Sequence, residues 1–315
     1  MTRRSQRASG GSVTTASRSL RVVRTRLGIS AALVAGALAL ASCGSDEPTS
    51  SSAPATTPTA AAPSAAHEEP GHVHGLGTQG ADLLIATHAG LWRAKAGQTE
   101  TKRVGQARHD LMGFTTQSAT RFLASGHPDP SDPDLPANLG LIVSRDGGRT
   151  WTSVSLLGKA DFHVLEASAS SVYGAEGREL RTSDAGGRSW HSHTAPGGLF
   201  SLAIGPADPE RFVASSEVGL VASSDAGATM RAVSGSESRA GLLAWPSETQ
   251  LYLVDADGVV SVSGDGGASW SQAGEIGGPP AAFIAADGRL YAALADGTVK
   301  VSTDGGRSWM LRAKA

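Results

Sequence analysis

A single cysteine, Cys43, stands among 315 residues, and its isolation rules out any internal disulfide. A closed zinc site of the thiolate type is ruled out with it. Long apolar runs are missing as well. The longest, Leu27 to Ala41, covers 15 residues, against the roughly 20 that a membrane-spanning helix needs. Acidic residues are wholly absent from positions 1–42, which hold seven arginines: Arg3, Arg4, Arg7, Arg18, Arg21, Arg24 and Arg26. Without that segment the chain loses seven of its 27 basic residues and none of its 29 acidic ones, and the net charge moves from −2 to −9. A balance of that sign argues against a nucleic-acid partner and against electrostatic adhesion to an anionic bilayer.

The basic, acid-free segment followed by a short apolar run reads as an export signal over 1–42. It ends in Leu40-Ala41-Ser42-Cys43-Gly44, which resembles the bacterial lipoprotein box. That resemblance implies cleavage before Cys43 and a lipid-modified Cys43 at the new N-terminus, so the mature protein is expected on the outer face of the cell membrane, lipid-anchored in the cell envelope. Residues 43–70 are almost wholly Ser, Thr, Pro, Ala and acids. Such a segment cannot bury enough apolar surface to fold, and it is expected to act as a disordered tether.

From residue 71 onward the chain repeats itself. The last copy of the motif is Ser302-Thr303-Asp304-Gly305-Gly306-Arg307-Ser308-Trp309; earlier copies run from Ser144 to Trp151, Thr182 to Trp190, Ser223 to Met230 and Ser263 to Trp270. Taken on Asp146, Asp184, Asp225, Asp265 and Asp304, the period is 38, 41, 40 and 39 residues, with the second copy one residue longer than the rest. Each copy follows three short runs rich in Ala, Val, Leu, Ile and aromatics, and a fourth run comes after it. Four antiparallel strands at a period near 40 make one propeller blade. The expected fold is therefore an all-β, six-bladed β-propeller over 71–315, with blades at about 72–105, 110–157, 161–194, 199–233, 240–273 and 281–313 and a ring that closes without strand exchange. The motif resembles the Asp-box, or BNR repeat, of sialidases and other propellers. In those families the box lies on the outer rim, which implies a structural role for all five copies.

Five of the nine histidines follow the blade period, and a sixth, His109, directly precedes the first aligned residue of blade two. Aligning the first strands of blades one to three gives one column of His72, Asp110 and Asp161 and a second of His74, Met112 and His163; the ends of the second strands give His88, His127 and Glu176. All nine positions fall at one end of their blades, because in an antiparallel pair the start of one strand lies beside the end of the next. If the first strand is innermost, they converge on the channel mouth, while blades four to six place Leu199-Phe200-Ser201, Gly241-Leu242-Leu243 and Ala282-Phe283-Ile284 there. Imidazole and thioether suit a transition metal, copper or zinc, on His72, His74, His88, His127, His163 and Met112, with Met112 favouring copper over calcium. Asp110, Asp161 and Glu176 are expected to contact a ligand. The other reading of each His is a strand cap. Between the second and third strands of blade two lies a proline-stiffened insertion, His127 to Pro136, expected to form a shaped lid.

The folded region, with HVHGL, ATHAGLW, DLMGF, ASGHPD and DFHVLE, resembles a set of bacterial Asp-box lipoproteins labelled glycosyl-hydrolase-like. A sialidase of this fold resembles a cage of three arginines with a Tyr-Glu pair, an Asp acid and an opening Arg-Ile-Pro. No Arg-Ile-Pro occurs here, Tyr173, Tyr252 and Tyr291 share one second-strand position, and Arg149, Arg188 and Arg307 lie in the repeated turns. Three readings follow, in order: an envelope lipoprotein that binds a small ligand or metal at the channel mouth, a glycoside hydrolase pairing two of Asp110, Asp161, Glu166 and Glu176, and a platform for a protein partner.

Overall fold

A computed structural model describes residues 70–315; the export segment, Cys43 and nearly all of the tether lie outside the described residues. Among the described residues every element is a strand, and 24 strands form six four-stranded antiparallel sheets of consecutive strands. The blades span 73–103, 110–155, 164–194, 199–232, 242–275 and 280–314.

The first strands, Val73–Gln79, Asp110–Thr116, Val164–Ala167, Leu199–Ile204, Leu242–Ser247 and Pro280–Ala286, each touch the first strands of both neighbouring blades, so they are innermost and the ring is closed. Its core is divided the same way into six apolar clusters, one at each blade-to-blade junction. Phe122 of blade two packs with Leu84 and Leu91 of blade one, for example, and Tyr173 of blade three with Phe212 of blade four. Fully burying an aliphatic or aromatic side chain of this size contributes about 1.5–3 kcal/mol, so the junctions hold the ring together. The last junction needs no shared strand. Arg312 of blade six donates to the carbonyls of Gln98 (2.8 Å) and Ala94 (3.1 Å) in blade one, and the Lys314 amide donates to Thr99 O (3.1 Å).

The repeated turn joins the third and fourth strands, and its bonds explain its composition. In blade six the buried Ser302 donates from Oγ to Asp304 Oδ1 (2.8 Å) and accepts from the Gly306 amide (2.9 Å). Asp304 then accepts from the Ser308 amide (3.0 Å) and hydroxyl (2.6 Å). The first residue of the Gly pair has φ +74 and the second +89, values that an L side chain adopts only at a cost. Trp309 donates from its indole to Gly306 O (3.0 Å) and packs on the junction between blades five and six. The same bonds recur at Ser144, Ser223 and Ser263.

Blade three corrects the sequence alignment of this turn. Ser183, not Thr182, accepts from the amide four residues on, Gly187 (2.9 Å). Ala185 therefore stands where the other turns have Asp, Asp184 takes the position of Arg145, and no extra residue is present. The serines then run 144, 183, 223, 263 and 302, a more even spacing than the aspartates suggest. Counting from Asp184 mistook a lost carboxylate for an insertion.

Candidate metal centre

The candidate site sits at the end of the ring opposite the repeated turns, where inner strands begin and second strands end. A bulge opens the inner strand of blade one between Val73 and Gly75, another that of blade two between Leu111 and Gly113, and another that of blade four between Leu199 and Ser201. The bulged residues are His74, Met112 and Phe200. Bulges re-aim side chains, and His74, Met112, His163, Phe200, Leu242 and Ala281, one from each blade, line a cavity of about 80 Å³ at the mouth. Backbone closeness is maintained by Gly126, at φ +141, where a Cβ would lie 1.9 Å from Asp110 O. Only glycine lets the strand ending in His127 run that close to Asp110.

The nine aligned positions do not converge on one point. Six of them sort into two groups of three, each built across a blade junction. In the first, His88 Nδ1 lies 2.8 Å from Asp110 Oδ2 and 3.2 Å from His74 Nε2, and His74 Nε2 lies 3.5 Å from Asp110 Oδ1. One ligand atom from each of His74, His88 and Asp110 falls within 4.8 Å of the others. In the second, Asp161 Oδ2 takes His163 Nε2 at 2.9 Å and His127 Nε2 at 3.4 Å, while His127 Nδ1 faces Ala137 O at 3.0 Å. Sequence columns grouped residues by equivalent position within a blade. Contacts instead pair the second-strand end of one blade with the first-strand start of the next, His88 with Asp110 and His127 with Asp161.

Of the remaining predicted residues, His72 stands edge-on to His88 with ring centroids 5.5 Å apart. Met112 lines the mouth cavity with His74 and His163 but belongs to neither set of close polar contacts. Glu176 is exposed, and its Oε2 accepts from the Asp161 amide at 3.4 Å, which makes it a support for Asp161. His109 accepts from the Asp129 amide (3.0 Å), while Asp129 takes the amides of Arg108 and Ser131 and the Ser131 hydroxyl. The insertion is thus pinned by its own bonds, and Asp129 is fully occupied.

The first group is an arrangement that could hold a metal ion. Burial, followed by the neighbouring His88, holds His74 below the ordinary imidazole value although Asp110 opposes the shift, so His74 is neutral at neutral pH. A neutral imidazole has one N–H, and His88 Nδ1 faces both Asp110 Oδ2 and His74 Nε2. Asp110 Oδ1 is buried and accepts no hydrogen bond, and the same is true of Asp161 Oδ1 in the second group. Buried carboxylate oxygens without a donor are costly. A cation held by both imidazoles and the carboxylate would satisfy the lone pairs that protons leave unmatched.

No protein-family model matches this chain, and no curated protein matches it. Among solved structures it is similar to an ancestral GH74 enzyme (TM-score 0.52, 13% identity), covering 78% of this chain and 39% of that one. It is also similar to a chain of a nidogen/laminin complex (TM-score 0.58, 12% identity, covering 73% of this chain and 91% of that one) and to YCF48 from Cyanidioschyzon merolae (TM-score 0.48, 13% identity, covering 77% and 85%). This chain spans well under half of the GH74 enzyme, and at identities of 12–13% the likeness to the first two structures speaks to the fold alone.

Proposed function

We propose that the protein is an envelope lipoprotein, exported and anchored through Cys43, whose propeller binds a divalent first-row transition metal at the channel mouth on His74, His88 and Asp110. The observation that carries this reading is the convergence of three ligand atoms within 4.8 Å at a buried carboxylate oxygen with no hydrogen-bond donor. Two imidazoles and one carboxylate, with no thiolate, make an open site suited to zinc or iron(II), and copper keeps support from the nearby Met112. Asp110 and Asp161 are each engaged by two imidazoles, which favours metal binding over a glycosidase pair. The repeated turns are read as Asp-boxes with a purely structural role.

Calorimetric titration of the metal-free protein with zinc, iron(II) and copper(II) tests the proposal. One ion per chain is expected, with binding lost in His88→Ala and weakened as pH falls through about 6.5, where imidazoles take up protons. Equal affinity in wild type and His88→Ala would sink it.

A further inference from the structure

Beyond the mouth the central channel holds a second cavity of about 330 Å³, lined toward the other ends of the inner strands by Thr78, Thr116, Ser168, Pro206, Pro246 and Ala286. Seven residues line both cavities and so form the waist between them: Leu76, Phe114, Glu166, Leu202, Leu243, Phe283 and Ile284. Six of the seven are apolar. The seventh, Glu166, is the only acidic residue lining either cavity, no lysine or arginine lines them, and its carboxyl makes no hydrogen bond or ion pair. It keeps some surface toward the channel yet is enclosed by protein on every side, because the channel itself runs through the interior. Burial alone pushes its carboxyl up to about 8.

An unpartnered carboxyl in an apolar waist is unfavourable for folding, since Leu or Phe fills the corresponding place in neighbouring blades. A metal ion is a poor occupant. Hard cations need several oxygens, and Glu166 offers the one carboxylate, with only the hydroxyls of Thr78, Thr115, Thr116 and Ser168 besides backbone. Aromatic and aliphatic walls around a single negative charge instead suit an organic cation, whose charge takes the carboxylate and whose hydrocarbon takes the walls. The wider cavity also fixes the direction of approach, since the mouth cavity is only about 80 Å³.

We infer that the channel waist binds a small organic ammonium ion, with its charge on Glu166 and its alkyl part in the 330 Å³ cavity beside Phe114 and Phe283. Nothing in this site depends on a metal at the mouth. Binding exchanges a proton on Glu166 for the ammonium, so affinity rises as pH rises toward about 8 and then levels. The other titratable groups facing the channel are His74 and His163 at the mouth. Tyr173, paired with Glu166 across the neighbouring strand, turns its hydroxyl away to Pro209 O.

The test is calorimetric titration of the full-length protein with n-butylammonium at pH 7, in two buffers of different ionisation enthalpy. Binding with release of a proton to the buffer is expected. Glu166→Gln, which keeps the shape and removes the charge, should weaken it at least about thirtyfold, and n-butanol should bind as weakly to wild type. Ala285→Leu, which fills the cavity and leaves Glu166 intact, serves as a second variant and should also weaken binding. His88→Ala should leave it unchanged, which separates this site from the metal centre. Equal affinity of wild type and Glu166→Gln, of butylammonium and butanol, or binding without proton release would overturn the inference.

Discussion

At the channel mouth His74, Met112 and His163 occupy one half of the ring, and Phe200, Leu242 and Ala281 occupy the other. The backbones of the two halves are nearly interchangeable: blades one, two and four share the same inner-strand bulge, and blades two, four, five and six share the same turn bonds. Whatever repeats in this molecule therefore serves the fold. The proposed metal site lies where the repeat is broken, in the half of the ring that carries His74, Met112 and His163, and the apolar half is a built-in control for it.

The largest expected effect breaks that comparison directly. Asp110→Asn keeps the shape of the first group and removes its charge, and it should reduce metal affinity by about a hundredfold or more, beyond the 10–100-fold typical of residues that only support a ligand. Phe200→Ala in the apolar half, where the side chain is 50% exposed, should leave affinity unchanged. Asp161→Asn ranks the two polar groups: a change under about tenfold places the ion at the first, and a larger one moves it to the second. Titration of all three variants by calorimetry decides.

Changes in the repeated turns should act on stability and leave metal binding alone. Trp309 is partly buried against the junction of blades five and six, so Trp309→Ala should cost about 2 kcal/mol, below the range for a fully buried aromatic. Ser302→Ala strands the Gly306 amide in a buried turn and should cost about 1–2 kcal/mol. Denaturant midpoints measure both. A drop in metal affinity at unchanged stability would transfer the function to the wrong end of the blade.

The fold was legible because it is written several times over. Five turn motifs at near-constant spacing determine blade number and strand order, and errors in one copy are outvoted by the others, as with Asp184. The site was legible only in part. Column alignment singled out His74, His88 and Asp110 without showing that these three meet, because equivalence within a blade says nothing of which neighbour a strand end leans toward. That is a matter of sheet twist and of bulges. Glu166 was visible only as one more carboxylate near the mouth. Its isolation appears when the six inner strands close and five other blades contribute only apolar side chains to the same waist.

Acid should separate the buried histidines from the aspartates of the repeated turns by pH range. His74, His109 and His193 are held below the ordinary value of 6.5, chiefly by burial. Protonation is thus harder in the folded state, and stability should decline as pH falls below 6.5. Asp225 and Asp265 are held at about 2 by the hydroxyls of Thr229 and Ser269 and then by backbone amides. Their contribution is complete above the ordinary value of 3.8 and is lost as pH falls through about 2. Melting temperature against pH for the metal-free protein should show two separate declines, with the lower one reduced in Asp225→Asn/Asp265→Asn. A single decline, or a lower one untouched by that double variant, would contradict the assignment.

The smallest effect comes from the one turn that departs from the rule at its first Gly. Blade four has Ala226 there, at φ +53, while Gly147, Gly186, Gly266 and Gly305 hold the place in the others at φ between +64 and +76. An L side chain in this left-handed region costs about 1–2 kcal/mol, and glycine returns part of that through its greater freedom in the unfolded chain. The Ala226 amide donates to Glu210 O at 2.9 Å, a bond that glycine keeps. Ala226→Gly should therefore raise stability by about 0.5–1 kcal/mol, where glycine in an ordinary strand or helix would lower it. The gain belongs to one turn on the rim, so metal affinity at the mouth should not move with it. A lower denaturant midpoint would mean that the turn in blade four is not strained, and that packing of Ala226 at the junction of blades three and four outweighs its backbone.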